Sequence, residues 1–156
     1  MKIGLGIDTH QLIAGSQLRI CGVSIPCNFK IKAHSDGDII YHACADAIYG
    51  AAALGDIGEH FSDDDPKNKD LNSENIVSHA YQSIVKLGFS VNNIDITVLL
   101  ESPKISPYKE QMIKNLARLL SIKNNSVNIK ASTSESLGFI GRGEGVTCYC
   151  IASLVK

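Results

Sequence analysis

One helix dictates most of what this chain can become. The stretch "SDGDIIYHACADAIYGAAALG", residues 35–55, reads as a helix from about Asp38 to Ala53. Ser35 and Asp36 lie just upstream as candidate caps, and Gly55 lies just past its end. Asp38, His42 and Asp46 fall at i, i+4 and i+8, one polar stripe on a surface otherwise filled with Ile, Ala and Tyr. A helix with so few charges must be covered on its remaining sides, so the stripe is not explained as a wet face alone.

The rest of the chain supplies the cover. Residues 1–8 read as a strand, and "LRICGVSIP", 18–26, as a short hairpin or a bent strand. "GDIGEHFSDDDPKNKD", 55–70, has the composition of an acidic loop. A second helix spans about 73–87, capped by Ser73, with Ile76, Val77, Ala80, Ile84 and Leu87 as its core stripe and Gly88 as its stop. "VNNIDITVLLE" alternates as a strand with one buried face. A third helix opens with Ser106 as cap and Pro107 at its first position, then repeats Met112, Ile113, Leu116, Leu119 and Leu120. "VNIKAS" is another strand. The last, 145–155, is apolar on both faces and should be covered on both, with a second subunit as one candidate. The order β-β-β-α-α-β-α-β-β predicts an α+β fold, a mixed sheet with helices packed on one face, in a single domain over 1–156.

Bulk numbers narrow the function classes. With 156 residues, 44% hydrophobic and 20% charged, the chain can bury a real core. Fifteen basic and sixteen acidic side chains leave a net charge of -1, no basis for binding nucleic acid or an anionic membrane. A phosphate substrate would have to be held by local groups. No apolar run is long enough to span a bilayer, and the N-terminus lacks the pattern of a secretory signal, which points to the cytoplasm unless a leader has been removed. The five cysteines form no CxxC and read as thiols in a reducing compartment.

Chemistry concentrates in four places. In "GIDTH", Asp8 and His10 project from the same side of a strand. If the 38–53 helix packs on that strand, His42 meets them, and two imidazoles with one carboxylate are a frequent catalytic zinc set. Asp46 or Asp38 would then suit an acceptor that orients a ligand imidazole. "AHSDGD" sets His34 and Ser35 before a helix start, where free N–H groups suit either a phosphate or a simple cap. The loop carboxylates Asp56, Asp63, Asp64 and Asp65 could hold sugar hydroxyls or a divalent cation, or merely be solvated. "KASTSESLGFIGRGEG", 130–145, joins hydroxyls, Glu135 and glycines around Arg142 in a spacing foreign to Walker and dinucleotide loops.

Together "GIDTH", "HSDGDIIYHACADAIYGAAALGDIGEHF", "ESPK" and "ASTSESLGFIGRGEGV" closely resemble the 2-C-methyl-D-erythritol 2,4-cyclodiphosphate synthase family of the non-mevalonate isoprenoid pathway. The resemblance implies Zn2+ held by Asp8, His10 and His42, with Asp8 and His10 also touching substrate. It implies that His34 and Ser35 hold the phosphate region, Asp56 and Gly58 the ribose, and Phe61, Asp63 and Asp65 the methylerythritol phosphate. Residues 100–106, with Lys104, match the cytosine pocket. Ser132, Thr133 and Glu135 match the diphosphate site, Glu135 with Mg2+ or Mn2+, and His34 and Thr133 the catalytic contacts. Phe139 and Arg142 match a cavity on a trimer axis that in some members accepts isoprenoid diphosphates. A homotrimer with active sites between subunits is also implied. Two departures stand out: "FSDDDP" replaces the usual "FPDTDP", and "STSESLG" replaces "TTTEKLG", which bears on loop mobility and affinity.

The implied enzyme is a metal-dependent phosphorus–oxygen lyase that cyclises 4-diphosphocytidyl-2-C-methyl-D-erythritol 2-phosphate and releases CMP. Two rivals share the residues: a zinc phosphohydrolase that activates water, and a non-catalytic trimeric binder with structural zinc. Structural zinc usually takes four protein ligands, often with Cys, and no fourth ligand is evident here.

Overall fold

Two glycines decide where the long apolar helix lies. In the computed structural model, which describes residues 1–33, 35–62, 68 and 71–156, strand β1 (Lys2–Ala14) runs beneath helix α1 (Ile39–Ala52). A Cβ on Gly4 would collide with the carbonyl oxygen of Ala47, and one on Gly6 with that of Ala43. Backbone therefore meets backbone, and the next two residues on that face of β1, Asp8 and His10, come up beside His42.

After β1 come β2 (Gln17–Ile20) and β3 (Val23–Pro26), a separate two-stranded hairpin. Its two-residue turn, Cys21 and Gly22, has φ of 52° and 74°, the left-handed pair that matches the twist of a tight hairpin. Then follow β4 (Phe29–Lys32), α1, the four-residue α2 (Ile57–His60), α3 (Ser73–Lys86), β5 (Ser90–Leu99), α4 (Lys109–Leu119), β6 (Val127–Ser132), the short α5 (Gly138–Gly141) and β7 (Gly145–Val155). The main sheet has the order β4-β1-β7-β5-β6, with β5–β6 parallel and the other pairs antiparallel. It is a mixed sheet in an α+β arrangement. Among the described helices, α1 packs on β1 and β7, α3 on α1, and α4 on α3 and β6.

Several boundaries differ from the sequence reading. The first strand continues to Ala14 because "QLIA" pairs with β4, a partner whose "FKIK" is too polar to announce itself. Asp38 is the helix cap, accepting from the Tyr41 amide, and Ala53 (φ 59°) closes the helix rather than Gly55. Asn72, not Ser73, caps α3. Leu87 sits past its end and is largely exposed. A turn of 3-10 helix at Ser106–Tyr108 precedes α4, with no side-chain cap.

β7 is covered along one face and only in part on the other, where Thr147 and Ser153 are buried but the stretch between them is open. Cys148, Cys150, Ala152 and Leu154 lie in the core against α1. On the opposite face Ile3, Leu5, Ile7, Tyr149 and Ile151 are 40–63% exposed. Leu5 pairs with Ile151 and Ile7 with Tyr149, so these side chains form one apolar patch.

Candidate active site

Asp8 and His10 from β1 and His42 from α1 converge on one point. Asp8 Oδ2 lies 3.0 Å from His10 Nε2 and 3.1 Å from His42 Nδ1, and the two nitrogens are 3.4 Å apart. A tetrahedral zinc with bonds of 2.0–2.1 Å has ligand–ligand edges of about 3.3 Å. The triangle has the size of one face of that tetrahedron, and among the described residues these three form the one group able to hold a metal.

Proton placement gives the same answer. Ser73, the first residue of α3, is fully buried; its hydroxyl donates to the carboxylate of Asp36 and its oxygen lies 2.8 Å from His42 Nε2. With the Ser73 proton committed to Asp36, His42 Nε2 must carry its own and donate it. That leaves His42 Nδ1 as a bare lone pair aimed at an anionic oxygen, which only a cation or a proton between them makes favourable. Burial works against the charged forms of Asp8 and His42, but the contacts of His10 and His42 hold the Asp8 carboxyl well below its ordinary range. Asp8 in turn raises His42.

This arrangement corrects one expectation. Neither Asp38 nor Asp46 orients the imidazole. Asp38 is wholly buried and accepts N–H bonds from Cys21 (2.7 Å), Gly22 (2.6 Å) and Tyr41 (3.4 Å), tying the hairpin turn to the start of α1. Burial pushes its carboxyl up to about 6, with the amide donors pulling it back. Within α1 the Asp38 side chain accepts the Tyr41 amide alone. Asp46 accepts from the Ile57 amide at 2.8 Å and so anchors α2. The orienting pair, Ser73 and Asp36, arrives from elements separated in sequence, and no local pattern marks it.

The triad opens into a cleft of about 340 Å³ lined also by Lys32, Ser35, Ile57, Phe61 and Leu71. Ser35 Oγ is 3.4 Å from His42 Nε2 and accepts from the Gly37 amide. Asp56 caps α2 through the Glu59 amide and Gly58 lies within that helix, whose far end is Phe61. Lys32, a cation at this cleft, was not singled out from sequence. His34, Asp63, Asp64 and Asp65 lie outside the described residues.

A second cleft, about 240 Å³, holds Lys104, Ser132 and Thr133 with Leu100, Glu101 and Ile105. Thr133 donates to Glu135 at 2.9 Å, and Glu135 and Ser136 both have positive φ (52° and 64°). Glu101, from "ESPK", pins this turn by accepting from the Ser134 amide (2.8 Å), the Ser134 hydroxyl (3.0 Å) and the Ser136 amide (3.2 Å). These bonds lower its pKa. Phe139 and Arg142 occupy a third place, on and after α5, with Arg142 paired to Glu144 at 2.9 Å.

Within one chain the two clefts stay apart. β1 and β6 are separated by β7 and β5, three inter-strand steps or about 14 Å. They share no lining residue.

The YgbB family profile matches residues 1–155. The chain is 46% identical over 154 residues to the 2-C-methyl-D-erythritol 2,4-cyclodiphosphate synthase of Desulforamulus reducens, covering 99% of this chain and 98% of that one. Among solved structures, the bifunctional IspDF of Campylobacter jejuni superposes with a TM-score of 0.93 at 42% identity, over 98% of this chain and 42% of the other. The Plasmodium falciparum IspF–CDP complex superposes with a TM-score of 0.87 at 36% identity, over 99% and 95% of the two chains.

Proposed function

The chain belongs to the YgbB family, that of the 2-C-methyl-D-erythritol 2,4-cyclodiphosphate synthases, and we propose that it converts 4-diphosphocytidyl-2-C-methyl-D-erythritol 2-phosphate to the 2,4-cyclodiphosphate with release of CMP. The observation that carries this reading is the three-donor triangle of Asp8, His10 and His42 at the floor of an open cleft.

In this reaction the substrate's own 2-phosphate attacks its β-phosphorus, closes an eight-membered ring and expels CMP. No protein nucleophile is required. Two anionic groups must be held together in line, an alignment worth up to about 7–11 kcal/mol. Zinc on Asp8, His10 and His42, and magnesium or manganese on Glu135, would supply charge neutralisation and polarisation of the phosphates. The chain's residues do the positioning. Ser73 and Asp36 fix the His42 tautomer so that Nδ1 faces the ion. Ser35 and Lys32 face the phosphate end of the cleft, with His34 beside them in sequence. Asp56 and Gly58 hold the ribose, while Phe61, Asp63 and Asp65 enclose the methylerythritol phosphate. In the second cleft Lys104 contacts the cytosine, Ser132 and Glu135 the diphosphate, and Thr133 the oxygens that gain charge at the transition state.

A homotrimer completes the site. The two clefts of one chain share no lining residue, and the apolar patch of β1 and β7 offers a surface for subunit contact. A metal cleft on one subunit then faces a cytidine cleft on its neighbour. Phe139 and Arg142 would line the trimer axis, where an isoprenoid diphosphate fits.

The test is a CMP-release assay with phosphorus NMR of the product, on wild type and His42→Ala. Cyclic diphosphate and CMP from wild type, with zinc and turnover both lost in a folded variant, is the expected result. An opened monophosphate product would make the protein a phosphohydrolase instead, and unchanged turnover of metal-free His42→Ala would remove the site assignment.

A further inference from the structure

Helix α2 places Ile57, and Phe61 just past its end, on the cleft, with Asp56 as its cap and Gly58 within it, yet it is four residues long and has no buried residue. Such a turn cannot hold itself. At its start the Ile57 amide donates to the Asp46 carboxylate and the Ile57 side chain packs half-buried on the core; its far end is held by a chain of rings. His60 stacks on Tyr49 of α1 with centroids 4.2 Å apart and planes 20° apart, and its Nε2 donates to the Leu54 carbonyl at 2.8 Å. The Tyr49 hydroxyl lies 2.6 Å from Nδ1 of His79 on α3. The His79 ring in turn meets the edge of Phe61 at 5.2 Å and 81°.

Tyr49 is completely buried although its neighbours His60 and His79 are exposed, so its hydroxyl needs a partner that its own helix does not supply. Burial raises the Tyr49 pKa, which keeps the hydroxyl a donor. Burial, His60 and Lys86 lower that of His79, which keeps Nδ1 an acceptor at neutral pH. With Nε2 of His60 committed to Leu54, the two rings are fixed without competing for the same proton.

We propose that Tyr49, His60 and His79 are positioning residues, a ring latch that clamps α2 between α1 and α3 and so sets the affinity for the nucleotide-sugar half of the substrate. The substrate part of this rests on the function proposed above; the clamping part does not. The latch touches no reacting atom, so its loss should raise KM and leave kcat nearly unchanged.

The experiment uses Tyr49→Phe, which removes one oxygen and keeps the stack, His79→Ala, and His79→Asn, whose amide oxygen can take the Nδ1 position. Amide hydrogen exchange of residues 57–61 is measured on each, with KM and kcat for the diphosphocytidyl substrate. Exchange should quicken about five- to tenfold in Tyr49→Phe and His79→Ala, and KM should rise about three- to tenfold with kcat within about twofold. His79→Asn should recover most of both. Wild-type exchange in the first two variants would overturn the latch. Faster exchange with unchanged KM would overturn its role in affinity. Absence of turnover in wild type would sink the function proposed above and leave exchange alone to decide the clamp.

Discussion

The two clefts are built in opposite ways. The metal triad stands on a long strand and a 14-residue helix locked together by backbone contact at Gly4 and Gly6. The Ser132–Glu135 site stands on an exposed turn with left-handed residues, pinned by a single carboxylate, Glu101. Rigid elements place the groups that must converge within 3.4 Å, whereas the turn's hydroxyls and the Glu135 carboxylate bond mainly within the turn and to Glu101, in contacts a ligand can exchange for its own. Preorganisation is thus concentrated where like charges must be forced together.

That contrast can be broken first at Gly6. In Gly6→Ala the added methyl meets the Ala43 carbonyl and pushes α1 off β1, costing about 2–4 kcal/mol and most of the bound zinc. Urea denaturation and metal analysis read both together. Ser73→Ala is gentler: zinc affinity falls about 10–100-fold because the His42 tautomer is no longer fixed. Competition with a chromophoric chelator measures it, and Ser73→Thr should restore part of the loss. At the other cleft Glu101→Gln should cut turnover about tenfold and leave zinc content at the wild-type level, since the turn loosens without touching the triad. A parallel loss of zinc would show that the two regions are not built independently.

The smallest effect is a pH dependence of metal-free protein. His42 is raised above 6.5, so its contribution to stability is full below 6.5 and fades as pH rises through its folded value. Asp8 is lowered below 3.8, so its contribution is present above 3.8 and fades as pH falls through its own folded value. Stripped of metal, the protein should be helped most between those limits and lose about 2–4 °C of melting temperature on going from pH 6 to 8. Zinc should abolish that loss, because the ion takes the place of the proton. Thermal scans with zinc and with chelator compare the two.

Asp8 and His10 were legible together because they stand two apart on one strand; His42, more than thirty residues on, joined them only on the condition that its apolar helix packs on that strand. Gly4 and Gly6 were readable only as strand residues, since their meaning depends on Ala43 and Ala47 across the interface. Ser73 looked like a cap, and its actual partners, Asp36 and His42, lie more than thirty residues away. Asp38 and Asp46 share a face with His42 at helical spacing, yet one faces a hairpin turn and the other α2. Periodicity gives the face a residue occupies but not the neighbour it finds there. The same applies to β7, whose two apolar faces were evident although one chain leaves Tyr149 and Ile151 on one of them open.

Strand β1 alternates two commitments. Gly4, Gly6, Asp8 and His10 point inward, while Ile3, Leu5 and Ile7 point out. A deletion of one residue near its start would swap these assignments, burying isoleucines against a helix that has no room for them and turning the metal donors toward open solvent. Ion binding and the outward hydrophobic surface are therefore inherited together, and no single-residue insertion or deletion there could alter one while sparing the other.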